Sequence, residues 1–211
     1  MKRKAAIVVG ILLSAMVLLN AAPAAATHSV LCKENVGVCP EGSQWPAKTY
    51  VTSATGFTGS YAEFELPGLV TFSSCAAGKF SGTPEPQAEG PMTGTLGMFF
   101  FTSCKPEGCK VESWTGWAWE WSATGGGNGA IAVSKPDLTA TCTKTPFAFS
   151  CEYSAATLSA KFEASTKTET AFIKDEGTAM TLVGGTGCLV SKANLRFRTS
   201  VRELGPVYLT N

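Results

Sequence analysis

Eight cysteines, Cys32, Cys39, Cys75, Cys104, Cys109, Cys142, Cys151 and Cys188, all lie downstream of residue 31 in a chain of 211. An even number of cysteines behind an export-type leader reads as a set of disulfides formed in an oxidising compartment. Cross-links of this kind dictate which distant segments must meet, so they constrain the fold more tightly than any local propensity. Eight cysteines allow roughly a hundred pairings. Spacing narrows the choice: Cys32/Cys39 bracket Asn35 and Gly37, Cys104/Cys109 bracket Pro106 and Gly108, and Cys142/Cys151 bracket Pro146. Local closure of these three turns leaves Cys75 to pair with Cys188, a long-range bridge worth up to about 4–5 kcal/mol by loop-closure entropy. No pair has C-x-x-C spacing and the single histidine is His28, so neither a zinc site nor any other cofactor is expected.

The leader begins with Lys2, Arg3 and Lys4, continues through an apolar run from Ala5 to Leu19 broken only by Ser14, and ends in Ala24-Ala25-Ala26. This reads as a secretory signal peptide over residues 1–26, with the mature N terminus at or near Thr27. The run of 15 residues is short of the ~20 that a spanning helix needs, and the first cysteine, Cys32, stands too far on to carry a lipid. A secreted, extracellular protein free of the membrane after cleavage is expected. Loss of the leader leaves 14 Lys+Arg against 16 Asp+Glu, a net charge of −2, and a mildly acidic domain without a basic run has no footprint for nucleic acid. The sequence carries no Asn-x-Ser/Thr acceptor for glycosylation.

Charged residues make up 16% of the chain, while threonines number 25 and serines 18; a charged fraction of ~25% is usual, so hydroxyls supply much of the surface polarity. Short Thr-rich segments with period-2 alternation follow one another between Gly and Pro, and no stretch sustains a helical period. The predicted strands are Thr49–Ala54, Ser60–Leu66, Leu69–Ser74, Gly94–Ser103, Lys110–Trp114, Trp117–Ala123, Ala130–Val133, Leu138–Thr143, Thr157–Phe162, Thr168–Ile173, Ala179–Val183 and Asn194–Leu204. In the second of these, Ala62, Phe64 and Leu66 alternate with Tyr61, Glu63 and Glu65, one face dry and one wet. Thr124-Gly-Gly-Gly-Asn-Gly129 is a hairpin signal, Ser81 to Pro91 with its three prolines reads as a loop or edge excursion, and residues 27–47 read as an irregular lead-in pinned by Cys32/Cys39. The fold class is therefore all-β: a single antiparallel β-sandwich or jelly-roll-like domain over residues 27–211, stapled by disulfides.

Few catalytic chemistries survive. A nucleophile activated by imidazole would have only His28 to rely on, at the very start of the mature chain. A glycoside hydrolase needs just two carboxylates across a cleft, and Glu63, Glu65, Glu120 and Glu152 lie on or near predicted strands, although charged strand residues usually mark the solvated face. Gly184-Gly185-Thr186-Gly187 lacks the lysine and helix of a phosphate loop and reads as a turn. Arg196, Arg198 and Arg202 fall on one strand face, opposite Leu195, Phe197 and Val201, as a solvated outer surface would. The most distinctive segment, Ser113 to Ser122, holds Trp114, Trp117, Trp119 and Trp121. Period 2 aligns the last three on one face. Turned inward they supply core; turned outward they form a strip for stacking on sugar rings, with Trp114 set apart by Thr115-Gly116.

Leu31-Cys32-x6-Cys39-Pro40, Phe101-Thr102-Ser103-Cys104 followed by Cys109-Lys110-Val111, the Thr124–Gly129 turn, Thr141-Cys142 with Phe149-Ser150-Cys151, and Gly187-Cys188 together resemble a group of uncharacterised secreted actinobacterial β-proteins that contain disulfides. The resemblance implies the fold and the compartment and carries no activity. The expected role is that of a non-catalytic extracellular binding or structural protein; a carbohydrate-active protein, with an extracellular polysaccharide or cell-wall component as partner, is the alternative.

Overall fold

The computed structural model describes residues 29–46, 51–54, 61–72, 77–87, 90–113, 116–144, 148–164, 171–202 and 206–211. The expected signal segment 1–26, together with Thr27, His28, Cys75 and Trp114, lies outside the described residues. Apart from a 3-10 turn at Glu41–Ser43, the regular structure is strand: β1 Val30–Cys32, β2 Val51–Ala54, β3 Tyr61–Leu66, β4 Val70–Phe72, β5 Ala77–Glu85, β6 Met92–Cys104, β7 Cys109–Ser113, β8 Trp117–Gly125, β9 Asn128–Ser134, β10 Asp137–Cys142, β11 Phe149–Ser154, β12 Thr157–Glu163, β13 Phe172–Thr186, β14 Lys192–Arg202 and β15 Tyr208–Thr210. Every pairing between them is antiparallel, in the order β4-β3-β14-β2-β5-β6-β7-β10-β11-β13-β12-β9-β8, with β8 returning to β6 and β13 also joined to β14.

Two long strands organise this ladder. Met92–Leu96 of β6 pair with β8, whereas Phe99–Cys104 pair with β7. Likewise β13 pairs with β12 through Phe172–Asp175 and with β11 through Thr181–Thr186. Each long strand thus feeds two sheets, and the circuit β6-β7-β10-β11-β13-β12-β9-β8 closes on β6. Closure removes most open edges, the standing aggregation hazard of antiparallel sheets. Aromatic contacts cross the interior of this sandwich: Phe64 of β3 meets Tyr153 of β11 at 5.6 Å, Phe72 of β4 stacks on Phe149 of β11 at 6.0 Å, and Phe99 of β6 meets Phe197 of β14 at 5.6 Å. Alternation drives the arrangement, as in β9, where every second residue is buried, because consecutive side chains of a strand point to opposite faces.

Several expectations need correction. The segment around Ser81 is not a loop as far as Glu85: it continues β5, with Pro84 in register opposite Gly94 of β6. Of the expected strands Thr168–Ile173 and Ala179–Val183, residues 168–170 lie outside the described residues, and Phe172, Ile173 and Ala179–Val183 belong to one strand, β13, bent by a register shift between Asp175 and Thr178. Phe149–Ser154 adds a strand that its flanking cysteines and Pro146 obscured. In the β8–β9 hairpin the positive φ angles belong to Gly125, Gly126 and Gly127 (96°, 62° and 80°), and Asn128 opens β9. Gly184 to Thr186 end β13 instead of forming a free turn, and Gly185 (φ 119°) sits where a Cβ would strike Cys151 Cα at 2.7 Å and Cys188 Sγ at 3.0 Å.

The lead-in is more ordered than expected. β1 pairs with β15, Leu31, Val207 and Leu209 enter the main core, and Val30, Cys32, Cys39 and Tyr208 form a small cluster beside it. Leu209 N–H donates to the Gly127 carbonyl at 2.7 Å, fastening the terminal pair to the β8–β9 turn. At Gly129 an added Cβ would collide with the Leu209 side chain and lie 2.7 Å from the Ser122 carbonyl oxygen. Backbone cannot retreat as a side chain can, so Gly129→Ala is expected to lower stability by about 1–3 kcal/mol, read as a drop in denaturant midpoint; an unchanged midpoint would show that the terminal pair is not seated there.

The disulfides depart most from local closure. Cys32–Cys39 forms as the spacing predicts, with Cα atoms 5.8 Å apart. The others do not: Cys109 bonds Cys142 and Cys151 bonds Cys188, over separations of 33 and 37 residues. Cys104 is disulfide-bonded as well, but not to Cys109. The expected pairs Cys104–Cys109, Cys142–Cys151 and Cys75–Cys188 are thereby replaced. Sheet register excludes one expected pair: Cys142 faces Phe149 and Cys151 faces Ala140, leaving Cys142 and Cys151 out of line, whereas Cys109 lies directly opposite both Cys104 of β6 and Cys142 of β10 and bonds the latter. Three disulfides between described residues suit an extracellular setting, and among the described residues no helix is long and apolar enough to cross a membrane.

Candidate functional site

The tryptophan face of β8 points inward. Trp117, Trp119 and Trp121 are 3%, 1% and 0% exposed, and Ala118, Glu120 and Ser122 face solvent. Trp119 meets Trp121 edge-on at 5.0 Å, Trp121 packs on Phe162 at 5.6 Å and Trp117 on Phe99 at 5.3 Å. The Trp117 indole N–H donates to Asp137 Oδ1 at 2.6 Å, so this large side chain enters the core without losing its hydrogen bond. Trp119 fits because Gly82 and Gly94 leave room: a Cβ on Gly82 would come within 2.8 Å of the indole, and one on Gly94 would collide with it. These rings are core material, and an aromatic strip for sugars is not presented by Trp117, Trp119 and Trp121. The remaining described tryptophan, Trp45, is half-buried beneath the Lys33 ammonium, 5.3 Å from its ring centroid.

The glutamates named from the sequence do not converge. Glu63 and Glu65 share the outer face of β3, while Glu120 on β8 and Glu152 on β11 stand on strands that are hydrogen-bonded neighbours neither of β3 nor of each other. Glu63 lies 3.5 Å from Arg196. Arg198 donates through Nε and Nη2 to Glu163 at 2.9 and 2.7 Å while its guanidinium lies over Phe172. Glu176 accepts from both Lys161 and Lys174, whose hydrogen bonds and charge hold its carboxyl down at about 2. The outer face of β3-β14-β13-β12 is therefore a set of neutralised ion pairs around Arg196 and Arg198, opposite the buried Leu195, Phe197 and Val201; the Arg202 side chain lies outside the description. Exposed pairs of this sort contribute little to stability.

A different surface offers a receptive shape. A groove of about 310 Å³ opens on the outer side of β6, β7 and β10, lined by Thr102, Gly108, Cys109, Lys110, Thr141 and Thr143. Thr141 pairs in register with Lys110 on one side and Ser150 on the other, and Ser150 pairs with Thr186, so a row of hydroxyls and one ammonium crosses four strands at intervals of about 4.8 Å. The Thr141 and Ser150 hydroxyls are 3.4 Å apart, Lys110 leans on Glu112 at 2.6 Å, and Thr143 donates its hydroxyl to the Gly108 carbonyl at 3.2 Å. At the rim Lys144 bonds Glu107 at 2.6 Å and holds that carboxyl below its ordinary range. The Cys109–Cys142 bond ties β7 to β10 beneath the groove. Sequence reasoning passed over this row because period 2 places Lys110, Thr139, Thr141 and Thr143 on outward faces without revealing that β7 lies beside β10.

One further polar residue escaped it. Asp175, which falls between two of the predicted strands, is buried in β13 at 1% exposure. Among the described residues no three His, Cys, Asp or Glu side chains are grouped so as to hold a metal ion. The frame is that of a disulfide-stapled, closed antiparallel β-protein. Compared with family models, curated proteins and solved structures, the chain finds no match.

Proposed function

We propose that the exported chain is a non-catalytic extracellular binding protein that takes a strand of cell-wall polysaccharide across the outer face of β6, β7, β10 and β11. The groove lined by Thr102, Lys110, Thr141 and Thr143 carries this reading. Hydroxyl groups both donate and accept, which suits them to the hydroxyls of a sugar chain, and recognition here runs through hydrogen bonds instead of tryptophan stacking. The disulfide under the groove favours binding by fixing the row in advance, which reduces the ordering cost of association. A two-glutamate hydrolase is not supported: Glu120 and Glu152 stand on non-adjacent strands, and Glu63 and Glu65 lie side by side on β3 with Glu63 beside Arg196, away from the groove. Secretion is part of the proposal and rests on the leader and the disulfides.

Titration of the purified protein with soluble fragments of bacterial cell-wall polysaccharide tests it. Binding is expected, with Kd rising about tenfold in the combined variant Thr141→Val and Lys110→Met, the loss of roughly one net hydrogen bond. Fluorescence of the buried tryptophans is expected to change little. Absence of binding to any wall fragment, or equal affinity in the variant, would refute the assignment.

A further inference from the structure

Asp175 sits in β13 with Ala160 of β12 on one side and Phe197 of β14 on the other. The strand is irregular at this point: register with β14 shifts between Asp175 and Thr178, and Gly177 adopts φ 146°. That bulge turns the backbone N–H groups of Gly177 and Thr178 toward the carboxyl, and the Thr178 hydroxyl donates to Oδ1 at 3.0 Å. The second oxygen, Oδ2, is buried and has no hydrogen-bond partner among the described residues. Among the described side chains of these three strands, Lys161 and Lys174 are bound to Glu176, Arg198 to Glu163, Lys192 is exposed, and Arg196 lies beside Glu63, its field only partly offsetting the burial of Asp175.

An ionised carboxylate held away from water with one oxygen unsatisfied is costly, and protonation removes most of that cost. We propose that Asp175 is a proton-binding site that makes this fold more stable in mildly acidic surroundings than at neutral pH, Oδ2 being the oxygen that takes the proton. Burial, opposed in part by the Thr178 and Gly177 hydrogen bonds, pushes its carboxyl from 3.8 up to about 6. Between those values the folded chain binds more protons than the unfolded one, so stability rises as pH falls through 6 toward 4 and is lost as pH rises again. Glu176 works in the opposite direction, its folded value being depressed, but only below its ordinary value of 4.5.

The test is thermal unfolding of the purified chain at pH 7, 6 and 5, beside the variant Asp175→Asn. From pH 7 to 5 the wild-type folding constant is expected to rise about tenfold, a gain of roughly 3–6 °C in Tm for a domain of this size, and the variant is expected to lack that rise. A wild-type Tm that stays level or falls, or a variant that keeps the same slope, overturns the proposal. Should the variant fail to fold, carbon-13 labelling of aspartate gives a second measurement, since the chain has only Asp137 and Asp175. With Asp137→Asn removing the other signal, a carboxyl midpoint near 6 supports the assignment, and one near 4 overturns it.

Discussion

Trp119→Ala is expected to lower the stability of this protein by about 3–5 kcal/mol. The loss should fall at the upper end of that range because the space left behind cannot close. Two of the walls around the indole are backbone at Gly82 and Gly94, which have no side chains to move into the void, and a third is the edge-on ring of Trp121. Urea unfolding followed by far-ultraviolet circular dichroism would read the effect as a lower midpoint with an unchanged slope. The converse change, Gly94→Ala, places a methyl group where the ring lies and is expected to be destabilising without removing any contact. A loss below about 1 kcal/mol for Trp119→Ala would mean that the ring is not packed as described. The same variant separates core from binding: wherever it remains folded, its affinity for wall polysaccharide is expected to match that of the parent.

Replacing Cys151 and Cys188 together by alanine is expected to cost about 4 kcal/mol, the loop-closure entropy of a cross-link spanning 37 residues. The corresponding change at Cys32 and Cys39, separated by 7 residues, should cost less, about 2–3 kcal/mol by the same relation. For a domain of this size the larger loss is a fall of roughly 8–16 °C in Tm. The bridge joins β11 to the chain just beyond β13, on a layer where Gly184, Gly185 and Gly187 offer no side chains of their own, so few packing contacts stand ready to replace it. Peptide mapping under non-reducing conditions is the companion measurement. It is expected to return Cys109 joined to Cys142 and Cys151 joined to Cys188; recovery of Cys142 joined to Cys151 would restore local closure and remove the basis for the estimate of 4 kcal/mol.

Hydroxyl-rich period-2 segments made the all-β class and most strand positions legible, because alternation between a dry and a wet face is a property of each strand alone. Ala62, Phe64 and Leu66 inward, Leu195, Phe197 and Val201 inward, and the inward option for Trp117, Trp119 and Trp121 all follow from that period once a core exists to receive them. Mistakes arose where local signals pointed one way and pairing another. The prolines between Ser81 and Pro91 suggested a loop, yet pairing with β6 carries β5 through Pro84 to Glu85. Residues 174–178 fall between two predicted strands, yet flanking strands hold β13 together there through a bulge.

Disulfide partners, the groove and the buried carboxylate depend on which strands become neighbours. Cys109 has Cys104 opposite it on β6 and Cys142 opposite it on β10, and the bond to Cys142 becomes possible because β7 and β10 pair despite the hairpin β8–β9 between them. The row from Lys110 through Thr141 to Ser150 and Thr186 exists only in that register. Strand identity is thus written into short-range periodicity, since it reflects side-chain alternation within a few residues. Strand order is decided by the packing of large rings and closure of the ladder, long-range interactions whose energies no local stretch of sequence contains.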